Sequence, residues 1–282
     1  MSMRIRKNEM TPVKVLYIIF LALYLFAMIF PMFYLVSASF MSESDLHQIP
    51  AKLLPGPFNF DNYAAALHRQ PLMKYVLNSF ISTILSVLIC LTVGSLASYA
   101  LVRTDIRGKR LFLLFILAIS LLPTITIINP IYKLYMNLKL LNTRFGLALI
   151  GSVMDLPMTI WFLTAMFRTV PMSIEESAEL DGANMAQIFV RILLPLMRGG
   201  LFSMGIIDFI GAWNRYLLAQ ILNPFEKART VVVGLTLYQL EITVPFEIVS
   251  AAAVMTIVPL LAMVMLFQKN ILGGLLEGGI KE

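Results

Sequence analysis

The sequence predicts an all-α integral membrane protein that crosses the bilayer six times, and three observations carry that prediction. Hydrophobic residues make up 59% of the 282 residues and charged residues only 13%, about half the share found in soluble domains. Four uncharged apolar runs reach the length of about 20 residues that a helix needs to span a bilayer. Two further apolar runs are interrupted only by isolated charges, Asp155 in one and Asp208 with Arg215 in the other.

The whole chain, 1–282, is predicted to form one transmembrane domain. In chain order the predicted spans cover about 15–38, 75–102, 111–132, 145–167, 199–221 and 248–268. The first run follows basic residues, as a signal peptide does, but it is too long and lacks a small-residue cleavage site, so we expect it to be retained. The remaining segments are an outer loop at 43–74, an inner loop at 168–198 and a tail at 269–282.

The distribution of Lys and Arg predicts that both termini are cytoplasmic. With an even number of spans the two termini share a side, and the short segments on that side carry more basic residues than those opposite. The excess is strongest around the first three spans, with Arg4, Arg6, Lys7, Lys14, Arg103, Arg107, Lys109 and Arg110. The net charge of +6 does not indicate nucleic-acid binding, because the basic residues are not gathered among stacking aromatic groups.

Neither a metal site nor a catalytic site is expected. Cys90 lies alone within an apolar run, and the two histidines, His47 and His68, lie outside the runs. The Gly-Gly pairs belong to no phosphate-binding loop, since no Gly-x-x-x-x-Gly-Lys-Ser/Thr pattern occurs. We therefore expect no bound cofactor and no enzymatic activity of the chain by itself.

The inner loop predicts a bent pair of helices, which we call the elbow (171–195). Ser173 and Glu176 have the spacing of a capping box at a helix start. Gly182 follows at a position that suits a helix C-terminus. Asn184 can cap a second helix, which Pro195 should end before the fifth span. An amphipathic hairpin lying on lipid is the alternative, but the acidic first helix would be repelled by anionic lipid, which favours docking to a protein.

The elbow resembles the cytoplasmic loop of permeases of binding-protein-dependent ABC importers, whose signature is Glu-Ala-Ala, three residues, then Gly. It stands here as Glu176-Ser177-Ala178-Glu179-Leu180-Asp181-Gly182, with Ser177 in place of the usual Ala. The pattern of the carbohydrate-uptake branch continues along nearly the whole chain, through Asn78-Ser79, Ala100 with Arg103, Leu141-Asn142-Thr143, Asp181-Gly182-Ala183 and the Gly-rich end. Arg215, after Trp213-Asn214, replaces the usual acidic residue.

The resemblance implies the second, shorter permease of a maltose-type sugar importer in a bacterial or archaeal cell (inner) membrane. Its partners would be a second permease, two cytoplasmic ATPase subunits that bind ATP and magnesium, and an extracytoplasmic solute-binding protein that delivers sugar. The residues implied in ATPase coupling are Glu176, Ser177, Ala178, Asp181, Gly182, Ala183, Phe189, Leu194 and Pro195. By family analogy, Gly278 and Gly279 of the tail reach the same interface.

Polar residues within the spans are candidates for the substrate pathway. Asp155 and Asp208 are costly in a membrane, so they should face a cavity or a partner. The alternatives are local support of the helix beside Pro157 for Asp155 and pairing with another helix for Asp208. Asn129, Trp213 and Asn214 could contact a sugar, although an interfacial position is the simpler interpretation of Trp213, and Asn129 could instead stabilise the kink at Pro130.

The sequence is also compatible with three other functions. The first is an ABC permease for another solute, such as glycerol phosphate or a polyamine. The second is an ion-coupled secondary carrier, which would transport without ATP or partner subunits. The third is a structural membrane scaffold, which would leave the acidic elbow without a purpose.

Overall fold

The protein is all-α in the residues that the computed structural model describes, which are 12–240 and 244–279, with side-chain surroundings described up to 266. The basic residues that precede Pro12 lie outside this range. The helices are α1 (Pro12–Ala38), α2 (Glu43–Leu46), α3 (Asp61–Arg69), α4 (Leu72–Arg103), α5 (Lys109–Ser120), α6 (Thr124–Asn137), α7 (Arg144–Thr169), α8 (Met172–Leu180), α9 (Met185–Gln187), a π-helical segment (Ile188–Leu193), α10 (Leu194–Leu196), α11 (Arg198–Trp213), α12 (Tyr216–Leu222), α13 (Val231–Thr236), a 3₁₀ turn (Leu237–Leu240) and α14 (Phe246–Gly279).

Four helices in the described residues are long and apolar enough to cross a membrane. They are α1, α4, α7 and the Phe246–Leu266 part of α14. Two bent pairs bring the number to six if each counts as one span: α5 with α6, bent by 92°, and Met185–Leu196 with α11, bent by 76°. The third segment is therefore two helices joined by a sharp bend, where the sequence predicts one span at 111–132. Pro123 explains the bend, because proline donates no hydrogen bond and disfavours helical geometry in the residue before it.

The fifth and sixth segments also differ in their bounds from the sequence-based ones. The segment at 199–221 is interrupted at Asn214 and Arg215, which separate α11 from α12. Helix α14 continues past 268, where the sequence predicts a tail.

By its internal contacts the chain forms two compact units, 1–69 with 241–254 and 70–240 with 255–282. The first contains α1, whose apolar side chains are almost all exposed. The turn after α1 is held by Asn62, whose side-chain amide donates to the carbonyls of Ser39 (3.0 Å) and Met41 (2.8 Å). Asp45 pairs with Lys52 at 2.5 Å, and this hydrogen bond lowers the pKa of the Asp45 carboxyl.

The second unit is organised around α4 and α7, which approach each other closely through small residues. A Cβ on Gly94 would lie 2.7 Å from Thr159 Cγ2, and one on Gly151 would lie 2.8 Å from Ser86 Oγ. Small residues let helices of a membrane protein pack by van der Waals contact where no hydrophobic effect drives association. Helix α11 also packs on this pair. Helices α4 and α7 therefore position both the polar side chains buried between the helices and the elbow.

At one end of the second unit a polar network holds the loop before α13. The Asn78 side-chain amide donates to the Arg229 carbonyl at 2.9 Å, and its oxygen accepts from Arg144 Nε at 2.7 Å. Nearby, Lys74 Nζ donates to Glu226 Oε1 at 2.8 Å, and this hydrogen bond lowers the pKa of Glu226.

The candidate coupling elbow and polar interior

The first helix of the elbow, α8, starts earlier than the sequence suggests. Pro171 is the N-cap, with φ −60°, and makes no side-chain cap hydrogen bond. Ser173 lies inside the helix, where its carbonyl accepts from the Ser177 hydroxyl at 2.8 Å. The predicted capping box of Ser173 and Glu176 is therefore wrong. Helix α8 begins at Met172, so Ser173 is its second residue and cannot cap its start.

The bend of the elbow is built at Gly182, as predicted. Its φ is +85°, a left-handed conformation that residues with a Cβ rarely adopt. The amide of Gly182 donates to the Glu179 carbonyl and that of Ala183 to the Ala178 carbonyl, both at 3.0 Å. These two bonds form a Schellman motif, which satisfies the last carbonyls of α8 and fixes the direction in which the chain leaves it.

The second helix of the elbow has the cap that the sequence indicates. The Asn184 side chain accepts from the Gln187 amide, and the Gln187 side chain accepts from the Asn184 amide, each at 2.9 Å. This reciprocal arrangement is a capping box. The helix continues through the π-helical segment and α10, which ends at Leu196, one residue after Pro195.

An apolar cluster attaches the base of the elbow to α7 and α11. Ala178, Ile188, Phe189 and Leu193 of the elbow are buried against Leu163, Phe167, Val170, Met197 and Met204. The rings of Tyr99, Phe167 and Phe189 contact one another, with centroids 5.2–6.3 Å apart. Aromatic contacts at these distances add to the stabilisation from buried area. The elbow therefore rests on the bundle through a rigid apolar base.

A buried ion pair joins the elbow to the end of α4. Arg103 Nε donates to Glu175 Oε1 at 2.6 Å, and its Nη2 donates to the Val170 carbonyl at 2.9 Å. The Tyr99 hydroxyl donates to the other Glu175 oxygen at 3.2 Å. The Glu175 side chain is only 4% exposed. We call these three side chains the clamp (Tyr99, Arg103, Glu175); the sequence draws attention to Arg103 and the acidic turn but not to their pairing.

The opposite face of the elbow is exposed in the described structure. Leu180 is 90% exposed and Met185 65% exposed, beside exposed carboxylates of Glu176, Glu179 and Asp181. Large apolar side chains at a bend, surrounded by acidic groups, are unusual on a free surface.

The predicted coupling residues differ in how exposed they are. Glu176, Ser177, Asp181, Gly182 and Pro195 are exposed, Ala183 and Leu194 are partly buried, and Ala178 and Phe189 belong to the base.

Within the spans, Asp155 pairs with Arg215. Arg215 Nη2 donates to both carboxylate oxygens of Asp155, at 2.7 and 2.6 Å, and both side chains are largely buried. Arg215 is the N-cap of α12, so the ion pair ties the break between α11 and α12 to the middle of α7. Asp155 therefore has a specific partner rather than a role in supporting the backbone at Pro157.

Asp208 is buried on α11 and bonds to a different helix. The Thr159 hydroxyl of α7 lies 3.2 and 3.1 Å from its two carboxyl oxygens, and Cys90 Sγ of α4 lies 3.1 Å from that hydroxyl. This arrangement corresponds to the alternative in which Asp208 pairs with another helix. Thr159 and Cys90 carry no signal in the sequence, because hydroxyl and thiol groups in apolar runs usually bond to their own helix.

The structure does not bring the other pathway candidates to these carboxylates. Trp213 is buried and stacks on Phe209, with the ring centroids 5.7 Å apart, so its ring is covered by protein. Asn214 is exposed, and its side-chain amide donates to the Ile210 carbonyl of its own helix at 2.9 Å. Asn129 is exposed on α6, one residue before Pro130. Gly278 and Gly279 end α14, in a segment whose surroundings lie outside the described residues.

A small polar cavity lies beside the Asp155–Arg215 pair. Its lining includes Ser82 and Ser86 of α4, Gly151 of α7, Arg215 and Thr230. Ser82 Oγ, Ser86 Oγ, Thr230 Oγ1 and Arg215 Nε are buried without a hydrogen-bond partner in the described structure. Buried polar groups normally have partners, and about one water molecule in such a cavity would supply them.

No group of three or more His, Cys, Asp or Glu side chains in the described part of the chain could hold a metal ion.

Comparisons with known proteins agree with this architecture. Residues 104–274 match the model of the family described as "Binding-protein-dependent transport system inner membrane component". The sulfoquinovosyl glycerol transport system permease protein SmoH of Agrobacterium fabrum is 33% identical over 253 residues, covering 90% of this chain and 89% of SmoH. The trehalose/maltose transport system permease protein MalG of Thermococcus litoralis is 32% identical over 256 residues, which cover 90% of this chain and 91% of MalG.

The fold itself matches a solved transporter. One chain of the crystal structure of a bacterial ABC transporter involved in the import of the acidic polysaccharide alginate superposes with a TM-score of 0.79. The match covers 93% of this chain and 99% of the other at 24% identity. This similarity shows the shared fold.

Proposed function

Because the chain belongs to the family of binding-protein-dependent transport system inner membrane components, we propose that it is one of two permease subunits of an ATP-driven importer for a sugar or oligosaccharide. The relatives named for their solutes transport sulfoquinovosyl glycerol, diacetylchitobiose, trehalose or maltose. Each matches nine-tenths of this chain, which supports a carbohydrate as the solute here as well.

The observation that carries the proposal is the construction of the elbow. Its exposed face combines Leu180 and Met185 with acidic groups, whereas its other face is held by the apolar base and by the clamp. A surface of this kind suits insertion into a cleft of an ATPase subunit. A rigid base allows a displacement of that subunit to move α4 and α7, to which the elbow is attached.

In this mechanism the chain supplies no nucleotide chemistry. Two cytoplasmic ATPase subunits bind ATP and magnesium, and their closure draws together the elbows of this chain and of the second permease. The pathway between the permeases then opens outward, where a solute-binding protein delivers the sugar, and hydrolysis resets the assembly. Both termini and the elbow lie on the cytoplasmic side of the cell membrane.

Gly182→Pro tests the elbow, because proline cannot adopt φ +85° and cannot donate the Schellman hydrogen bond. With the partner subunits coexpressed, we expect normal membrane levels of the chain but loss of most ATP-dependent uptake. Gly182→Asn is the matched control, since asparagine tolerates left-handed geometry, and it should retain most uptake. Unaltered uptake by a normally expressed Gly182→Pro variant would refute the coupling role.

The solute class requires a separate measurement. Binding of candidate sugars, glycerol phosphate and polyamines to the cognate solute-binding protein, followed by uptake into vesicles containing the complete transporter, distinguishes them. Uptake of a sugar, with no uptake of the other two classes, is the expected result. Selective uptake of glycerol phosphate or of a polyamine would leave the importer mechanism intact and overturn the sugar assignment.

A further inference from the structure

A groove between α5 and α7 has the charge pattern of a lipid-binding site. It has a volume of about 290 Å³ and is lined by Arg110, Leu113, Leu114, Trp161, Thr164, Ala165 and Arg168. Helix α5 packs on α7 near Leu113 and Ile160. Arg110 is in the first turn of α5 and Arg168 in the last turn of α7, so both residues lie at the end of the groove next to the elbow.

The groove becomes apolar away from this end. Along α5, Leu113 and Leu114 follow Arg110 by about one helical turn, and along α7 Trp161 lies about 10 Å deeper than Arg168. A cationic mouth that continues into an apolar channel matches a phospholipid, whose anionic headgroup is joined to hydrocarbon chains. An acidic peptide would match the mouth but not the apolar channel.

The two arginines at the mouth have no partner among the residues that the structure describes. Arg110 and Arg168 are exposed, and among residues 12–240 and 244–266 neither has an ion pair or a side-chain hydrogen bond. Helix α5 also begins unfavourably, because Gly108 provides no side-chain cap and the first turn carries Lys109 and Arg110 but no acidic residue. An anion at this point would compensate the helix dipole and both guanidinium charges.

A third observation comes from the wall of the groove. Thr164 is 4% exposed, and its Oγ1 has no hydrogen-bond partner in the described structure. A buried hydroxyl without a partner is uncommon, so the wall of the groove next to its mouth contains an unsatisfied polar group. Basic pockets between transmembrane helices are a recurring mode of binding anionic headgroups.

We propose that this groove binds one anionic phospholipid, with its phosphate between Arg110 and Arg168 and an acyl chain along Leu113, Leu114 and Trp161. The site does not depend on the identity of the solute. It places a lipid against the end of α7 from which the elbow begins, so the lipid composition of the membrane would influence how firmly that end is held.

Native mass spectrometry of the purified transporter in mixed phosphatidylcholine and phosphatidylglycerol tests the proposal. The wild-type complex should retain phosphatidylglycerol, and Arg110→Ala with Arg168→Ala should weaken its binding about 25-fold, from about fivefold for each basic residue. The matched control is Arg107→Ala with Lys109→Ala, which removes two positive charges near the groove but none from its lining, and should weaken binding much less. Equal retention in both double variants, or equal loss, would overturn the site.

A second variant keeps both charges, in case the arginine variants do not fold. Ala165→Phe places a ring in the groove and should displace the bound lipid, whereas Ala165→Ser should retain it. Lipid retained by a folded Ala165→Phe complex would contradict the proposal. Loss of ATPase association without loss of lipid in the arginine variants would show that the groove receives an acidic protein segment instead, which also refutes it.

Discussion

Asp155 and Arg215 illustrate how a charged residue is accommodated within the spans of this protein. Each would be costly in a membrane alone, but Arg215 donates two short hydrogen bonds to Asp155 across the break between α11 and α12. The remaining Nε of Arg215 faces the small polar cavity and has no protein partner in the described structure. The stability of this ion pair thus depends on both side chains and on the polar cavity that Arg215 Nε faces.

Replacing one member of this pair should be more harmful than replacing both. Asp155→Asn or Arg215→Gln leaves an uncompensated charge or polar group, a change that typically costs about 3–5 kcal/mol. The double variant should recover part of that stability, as measured by thermal unfolding of the purified complex. Additive losses in the double variant would show that the two side chains act independently.

Gly151 provides a second test at this scale. A methyl group there would meet Ser86 Oγ at 2.8 Å and fill the polar cavity near Arg215 Nε. Gly151→Ala should therefore lower the melting temperature, by an amount equivalent to about 1–3 kcal/mol for overpacking. Gly211→Ala is the control, because no neighbouring atom lies within 4 Å of the position that its methyl group would occupy. Equal melting temperatures for the two variants would contradict the tight packing of the cavity wall.

At the scale of helices, the elbow is attached to α4 through the clamp as well as through its apolar base. Glu175 is buried and makes contacts with Arg103 and Tyr99, whereas Glu226 forms an exposed pair with Lys74. Exposed ion pairs contribute about 0–1 kcal/mol, but breaking a buried pair leaves a charge without compensation.

Glu175→Gln should therefore loosen the elbow, whereas Glu226→Gln should not. Hydrogen–deuterium exchange of 171–197 should increase in the first variant, and ATP-dependent uptake should fall several-fold while the chain remains inserted. The second variant serves as the control for loss of an equal charge from an exposed pair. Unchanged exchange in the Glu175→Gln elbow would mean that the apolar base holds it without the clamp.

The contact between α4 and α7 depends on Gly94. A Cβ there would lie 2.7 Å from Thr159 Cγ2, and Thr159 in turn bonds to Asp208. Gly94→Leu should separate the helices and disturb that hydrogen bond, which predicts a marked loss of folded protein by size-exclusion chromatography. Gly211→Leu adds the same side chain at an open position and should be tolerated. Similar yields of the two proteins would count against the close packing.

Most of the helix assignment follows from the sequence, and the bends follow only in part. Apolar runs of sufficient length indicate the spans. Gly182 adopts the left-handed conformation that glycine favours, and Asn184 caps a helix, as asparagine often does. The sequence misplaces the start of α8 because Ser173 and Pro171 offer competing caps, and the pattern of residues does not decide between them. The 92° bend before α6 depends on how Pro123 and the neighbouring helices are accommodated together.

On the scale of the whole molecule, the exposed apolar surface requires a membrane and suits an assembly. Helix α1 exposes apolar side chains around its circumference, and the elbow exposes Leu180 and Met185. Lipid or another subunit must cover α1, because so much apolar surface is unfavourable in water. Under the proposed function, separate ATPase subunits supply the energy for transport.

Vesicles that contain this chain alone should therefore show no solute uptake. Adding the second permease, the ATPase pair and the solute-binding protein should establish uptake that requires ATP and stops with a non-hydrolysable analogue. An ion-coupled carrier would behave in the opposite way. Uptake by the single chain, driven by an ion gradient without ATP, would rule out the importer mechanism.

The sequence by itself determined the membrane class, the approximate spans, the bend at Gly182 and the family resemblance, because these depend on apolar length, local backbone preference and linear motifs. Only the tertiary structure decided that Asp155 pairs with Arg215, that Glu175 is clamped by Arg103, and that Trp213 is buried. Those partners are separated by tens of residues along the chain. Their contacts arise from the packing of α4, α7 and α11, which no local pattern specifies.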